Sequence, residues 1–149
     1  MQLTTFTDYS LRVLLYLGAQ PESKLSNIKE ISQIYNISQH HLSKVIFELG
    51  KRGFVHSVRG RNGGIKLAKP PKTINIGTVV RQTENLDIAE CFNKETNTCI
   101  ISPVCGLQHI LQAALSAYLE VLDQYTLEDI IKNKKSLQAL FQQGLSNGS

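Results

Sequence analysis

Cys91, Cys99 and Cys105 are the only cysteines in the chain, and they fall within fifteen residues of one another. Three thiolates at close quarters can hold a soft metal or an iron–sulfur cluster, leaving one position for another donor. Seven residues separate the first pair and five the second. This is not the C-x-x-C spacing of zinc ribbons or dithiol redox sites; it suits a loop wrapped around a larger object. The intervening Asn93-Lys94-Glu95-Thr96-Asn97-Thr98 is poor core material, which argues against three unrelated buried thiols. Zinc on three cysteines and a fourth ligand is the static alternative. From the residues alone Asp8, Glu84, Glu90 and His109 could each supply the missing donor.

The elements around these cysteines must position them. Ser102 is a suitable N-cap and Pro103 suits a first helical position, which predicts a long helix over 103–125. Cys105 would then lie in the first turn, where the positive end of the helix dipole favours a thiolate. Leu107, Leu111, Ala114, Tyr118, Val121 and Tyr125 alternate four and three apart, the a/d seam of a coiled-coil-like pair. The seam predicts a homodimer with two-fold symmetry. Upstream, apolar spacing predicts helices over 8–17, from about 28 with Ser26 or Asn27 as cap, and from Ser38 to about Lys51. Two β-prone runs flank Asn62-Gly63, which predicts a hairpin. A further helix is expected from Ile76 to about Glu84 and a short one over 127–132, with 85–101 irregular.

Charge divides the chain. Residues 1–75 carry 11 Lys/Arg against 4 Asp/Glu, a net of +7, and residues 76–149 carry 5 against 8, a net of −3. Between Lys44 and Lys72 eight Lys/Arg face a single acid, Glu48. A concentrated basic stretch suits a polyanion such as DNA. Short helices, a tight turn, a third helix and a hairpin make a winged helix-turn-helix whose third helix enters the major groove. With Leu42, Val45, Ile46 and Leu49 inward, the opposite face offers His40, Ser43, Lys44 and Phe47, and the helix start adds Ser38, Gln39 and His41. Arg59, Arg61 and Asn62 at the hairpin tip suit minor-groove insertion or phosphate clamping.

Four blocks together resemble a known family: Leu3-Thr4-x-x-Thr7-Asp8-Tyr9-Ser10-Leu11-Arg12, Arg59-Gly60-x-x-Gly63-Gly64, Ile74-Asn75-Ile76-Gly77-x-Val79-Val80-Arg81, and Cys91-Phe92 followed by Cys99-x-Ile101-Ser102-Pro103-x-Cys105-Gly106-Leu107. Over about residues 1–135 the chain resembles the NsrR family of nitric-oxide-sensing repressors, in the winged-helix iron–sulfur superfamily that also includes IscR and CymR. The cysteine block with Ser-Pro-x-Cys is the specific part; the wing motif is shared across the superfamily. The resemblance implies that Cys91, Cys99 and Cys105 hold an iron–sulfur cluster, 4Fe–4S by preference and 2Fe–2S as the second choice. It implies Asp8 of the partner subunit as fourth ligand, with Glu84 the second choice.

The expected architecture is mainly α with a small β-hairpin wing. Residues 1–75 form the winged helix-turn-helix, 76–102 the connecting helix and cluster loop, 103–135 the dimerisation helix and a short helix, and 136–149 a flexible tail. The expected function is a homodimeric repressor bound to roughly palindromic double-stranded operator DNA, with nitric oxide as signal. A cluster-free, thiol-responsive regulator of the same superfamily is the alternative. No apolar run approaches a membrane span and the start lacks a secretory pattern, which predicts a cytoplasmic protein with no membrane partner. No catalytic triad spacing or phosphate-binding Gly-loop occurs, so no enzyme is expected.

Overall fold

A computed structural model describes residues 1–147. Its elements run α1 (Thr5–Ala19), α2 (Ile28–Tyr35), α3 (Gln39–Lys51), β1 (Val55–Val58), β2 (Gly64–Leu67), α4 (Ile76–Thr83), α5 (Gly106–Asp123), α6 (Leu127–Ile130) and α7 (Lys134–Asn147). The helix starts follow the capping residues. Thr4, Asn27, Ser38, Asn75 and Thr126 each accept a hydrogen bond from a backbone N–H of the first turn. The first helix therefore begins at Thr5, three residues before the expected start at Asp8, because the Thr4 hydroxyl caps it. Between α2 and α3, Asn36 adopts φ 53°, a left-handed C-cap that turns the chain sharply.

The two strands pair antiparallel from Val55 opposite Leu67 to Val58 opposite Gly64. The turn is not the two-residue Asn62-Gly63 type expected. It is a longer loop in which Gly60, at φ 107°, makes the left-handed step and Gly63 N–H donates to the Gly60 carbonyl at 3.0 Å. Gly63 itself is required by close approach: a Cβ there would strike the Val58 carbonyl oxygen.

One large core joins α1, α2, α3 and the wing through Val13, Leu14, Ile31, Leu42, Leu49, Phe54 and Ile65, and takes in Leu127, Ile131 and Phe141 from the C-terminal helices. The expectation of a flexible tail over 136–149 is thus corrected for 136–147. There the chain is helical and docks on α2, with Phe141 buried between Tyr16 and Tyr35 at ring distances of 5.1 and 6.0 Å. Residues 148–149 lie outside the described residues. A second, small cluster of Val80, Leu115 and Leu119 fastens α4 to α5, with Phe92, Leu86, Tyr118 and Leu122 packed around it. At the far end of this join Asn75 Nδ2 donates to the Asp123 carbonyl at 2.7 Å and Arg81 pairs with the Asp123 carboxylate.

The long helix is shorter than expected. Ser102-Pro103-Val104 form a 3-10 turn, and α5 starts at Gly106. Cys105 is therefore the N-cap residue of α5, not a first-turn residue, because its extended ψ of 109° breaks the path from Pro103. The expected seam also divides. Leu107, Ala114, Val121 and Tyr125 are exposed, whereas Leu111 and Tyr118 are half-buried, since α4 needs apolar cover. The exposed stripe is Leu107, Ile110, Ala114, Ala117 and Val121. Among the described residues no helix is long and apolar enough to cross a membrane.

Candidate functional site

Two surfaces carry the candidate chemistry. The first is the outer face of α3 and the wing tip. Leu42, Val45, Ile46 and Leu49 are buried, which turns Gln39, His40, His41, Ser43, Lys44 and Phe47 to solvent on one continuous face. Ser38 and Ser43 are committed locally. The Ser38 hydroxyl oxygen accepts from His41 N–H at 3.1 Å, and the Ser43 hydroxyl donates to the Gln39 carbonyl at 2.8 Å. His40, Lys44 and Gln39 remain exposed. Phe47 is also exposed, with the Lys51 ammonium 5.2 Å from its ring centroid. At the wing Arg59, Arg61 and Asn62 are all exposed.

The second surface is the loop joining α4 to α5. All three cysteines are free thiols, Cys91 and Cys105 half-buried and Cys99 exposed, and none belongs to either core. The loop is held by its own polar side chains. Glu90 accepts from Thr98 N–H at 2.9 Å and from the Thr98 hydroxyl at 2.6 Å, which hold its carboxyl below the usual range. Asn97 accepts from Cys99 N–H at 3.0 Å and donates to the Ser102 hydroxyl at 2.8 Å. Gln108 Nε2 on α5 donates to the Cys91 carbonyl at 3.1 Å, and Phe92 packs into the small cluster. The neighbours of the cysteines are thus ordered by these side-chain hydrogen bonds rather than by the thiols. Among the described residues no three Cys, His, Asp or Glu side chains converge as a metal-binding group within this chain. The donor set still suits a soft centre: three free thiols on one loop, none of them part of either core.

The two carboxylates expected nearby have separate partners. Asp8 on α1 accepts from Arg12 Nε at 3.0 Å and Nη2 at 2.9 Å, a half-exposed bidentate pair one turn apart. The Arg12 guanidinium also lies 5.8 Å from both the Tyr9 and Tyr35 ring centroids, and Tyr9 meets the His41 ring edge-on at 6.0 Å. Asp8 is therefore linked through one arginine and one tyrosine to the start of α3. Glu84 sits elsewhere, against the N-terminus of α1, accepting from Thr4 N–H at 2.8 Å, the Thr4 hydroxyl at 3.2 Å and Asn85 N–H at 3.1 Å. Burial pushes its pKa up, but these bonds outweigh that and leave it below the usual range. Glu84 is an α1 clamp whose oxygens are already engaged. His109, the remaining donor, is exposed on the first turn of α5.

Sequence reasoning missed Arg12, although Asp8-x-x-x-Arg12 has readable i,i+4 spacing. It also missed Arg52, whose Nε donates to the Gln82 carbonyl at 3.0 Å and ties the end of α3 to α4. Nothing local in the sequence signals that pairing.

A family described as "Rrf2: Iron-dependent Transcriptional regulator" matches residues 3–133. An HTH-type transcriptional regulator NsrR of Halalkalibacterium halodurans is 62% identical over 141 residues, covering 94% of this chain and 97% of that protein. The protein of the same name from Bacillus subtilis is 56% identical, covering 94% and 97%. Among solved structures, T. potens IscR superposes with a TM-score of 0.73 at 25% identity, covering 93% of this chain and 91% of that one. CymR of B. subtilis, described as its global cysteine regulator, gives 0.67 at 26% identity, covering 87% and 95%. A wing, an exposed recognition face, and a match running through both cores agree: this chain belongs to the Rrf2 family of iron-dependent transcriptional regulators, and it is a winged-helix DNA-binding regulator rather than an enzyme.

Proposed function

We propose that the chain is a homodimeric, cytoplasmic repressor that binds a roughly palindromic operator and answers nitric oxide through an iron–sulfur cluster. Cys91, Cys99 and Cys105 would hold the cluster, 4Fe–4S in preference to 2Fe–2S, with Asp8 of the partner subunit as the fourth ligand. The observation that carries this reading is the placement of the only three cysteines, all free and outside both cores, on the one loop between α4 and α5. The family and the NsrR relatives support it.

When bound, the cluster would supply iron that nitric oxide attacks. The chain's own residues do the rest. His40, Gln39 and Lys44 read or clamp the major groove, while Arg59, Arg61 and Asn62 hold the minor groove or its phosphates. Arg12 neutralises Asp8 whenever that carboxylate is not engaged elsewhere. Asp8 is half-exposed and held only by a side chain of its own helix, a partner it can exchange, which suits a site that must be opened by a signal. Glu84, the second choice, is better employed in holding α1. Recruiting Asp8 of one subunit to the thiols of the other would shift its own Arg12–Tyr9–His41 stack. Operator affinity would then follow the state of the thiol site as a population shift, releasing nitric-oxide stress genes when the signal arrives.

The test is operator binding by anaerobically prepared protein before and after nitric oxide, at fixed salt, with iron and sulfide quantified per chain. Affinity unchanged by nitric oxide sinks the switch. The alternative is a cluster-free, thiol-responsive regulator, which draws on the three thiols being free and Cys99 being exposed. A colourless anaerobic protein whose operator affinity follows thiol oxidation would establish it instead.

A further inference from the structure

From Thr96 to Leu119 the chain carries no Lys, Arg, Asp or Glu, in a protein whose charged residues make up 19%. The same stretch exposes large apolar side chains. Ile100 at 91% and Val104 at 86% are, after Met1, the most exposed large apolar side chains among the described residues, and Ile101 is at 56%. These three flank thiols directly: Ile100 and Ile101 follow Cys99, and Val104 precedes Cys105. An exposed apolar run of this kind points to an interaction site. It runs without a charged break into the exposed α5 stripe of Leu107, Ile110, Ala114, Ala117 and Val121. One occupant therefore covers both. The stripe repeats at 3-4-3-4 spacing, which is self-complementary about a two-fold axis, and its lack of charge offers nothing to steer an ionic partner. The occupant that fits is a second copy of this chain.

We propose that Ile100, Ile101 and Val104 form an apolar rim that the second copy closes over the three thiols, admitting small uncharged molecules and excluding charged ones. The inference rests on the cluster-site reading given above and adds its selectivity. An anionic thiol or chelator must shed water to cross such a rim, a cost that an uncharged diatomic such as nitric oxide escapes. The thiol site is incomplete as a selective site in one chain alone, where Cys99 is exposed.

The test uses the full chain, reduced and metal-free, at concentrations above and below its dimer dissociation. Alkylation by iodoacetate, which is anionic, is compared with alkylation by neutral iodoacetamide, each normalised to free cysteine. For the dimer the neutral reagent should be favoured by about tenfold or more, the desolvation of one carboxylate being ample for that ratio. Dilution to monomer, or Ile101→Asn with Val104→Ser, should remove the preference. Leu140→Ser, an exposed apolar position on α7, should not. No preference in the dimer, or one untouched by dilution and by the rim variants, overturns the proposal. Failure of the underlying reading looks different. Anaerobic protein without iron and sulfide would overturn the cluster while leaving the alkylation result standing, whereas a loaded protein without discrimination overturns the rim alone.

Discussion

Truncating Phe141 to alanine tests whether the C-terminal helix belongs to the DNA-reading unit. Phe141 is 8% exposed and lies against Tyr16 and Tyr35. Beside it, Gln138 Nε2 donates to the Ala19 carbonyl at 2.7 Å and Gln33 Nε2 donates to the Leu145 carbonyl at 3.3 Å. A buried Phe→Ala costs about 3–5 kcal/mol in general. The lower part of that range applies here, because a terminal helix can settle into part of the void. A loss of about 3 kcal/mol would lower the melting temperature by roughly 6–12 °C at this chain length. It is also a large share of a total stability of about 5–15 kcal/mol. The assay is urea denaturation of the metal-free protein followed by far-ultraviolet circular dichroism, reading the midpoint at constant slope. A loss below about 1 kcal/mol would refute the reasoning, since a residue that fills the core between two tyrosines cannot be removed so cheaply.

Glu84→Gln should destabilise the protein at neutral pH and not in acid. The folded state lowers this carboxyl below its ordinary value of 4.5, so its contribution is present above that pH and is lost as pH falls through the folded value. A wild-type-minus-variant difference in stability that persists in acid would contradict it. Arg61→Ala, at the exposed wing tip, should reduce the slope of log affinity against log salt by about 1 if it meets a phosphate; an unchanged slope removes it from the backbone contact. Cys99→Ser should abolish iron and sulfide incorporation under anaerobic conditions yet leave the melting of the metal-free protein unaltered, because Cys99 is exposed and outside both cores. Retained iron would remove it from the ligand set.

The DNA-binding half was legible because its signals are local. Asn27 and Ser38 cap where capping residues should, and the apolar spacing of Leu42, Val45, Ile46 and Leu49 places the outer face of α3 without further information. The wing was legible as a hairpin, but its turn was not, since the left-handed step falls on Gly60 and is set by how the strands must cross. Cys105 was misplaced by one short break: Pro103 can start either an α-helix or a 3-10 turn, and local sequence does not choose. The tail was misread because α7 is weakly apolar in sequence, and its single buried aromatic finds cover only in tertiary contact with α1 and α2. The seam divided for a similar reason. A helix apolar on two sides offers two stripes, and the one α4 takes is decided by tertiary contact.

The joint between α4 and α5 has a mechanical consequence. Only Val80, Leu115 and Leu119 are fully enclosed there, while Ile76 and Val79 of the same short helix are set in the large core. The helix α4 is thus held on both sides, and on the α5 side Asn75 and Arg81 add polar ties to Asp123. A displacement of α5, a helix of about 27 Å at 1.5 Å per residue, would therefore be passed through α4 into the core that carries the recognition helix. In a two-fold dimer the two displacements would add and would change the span that must match about 34 Å of duplex between successive half-sites.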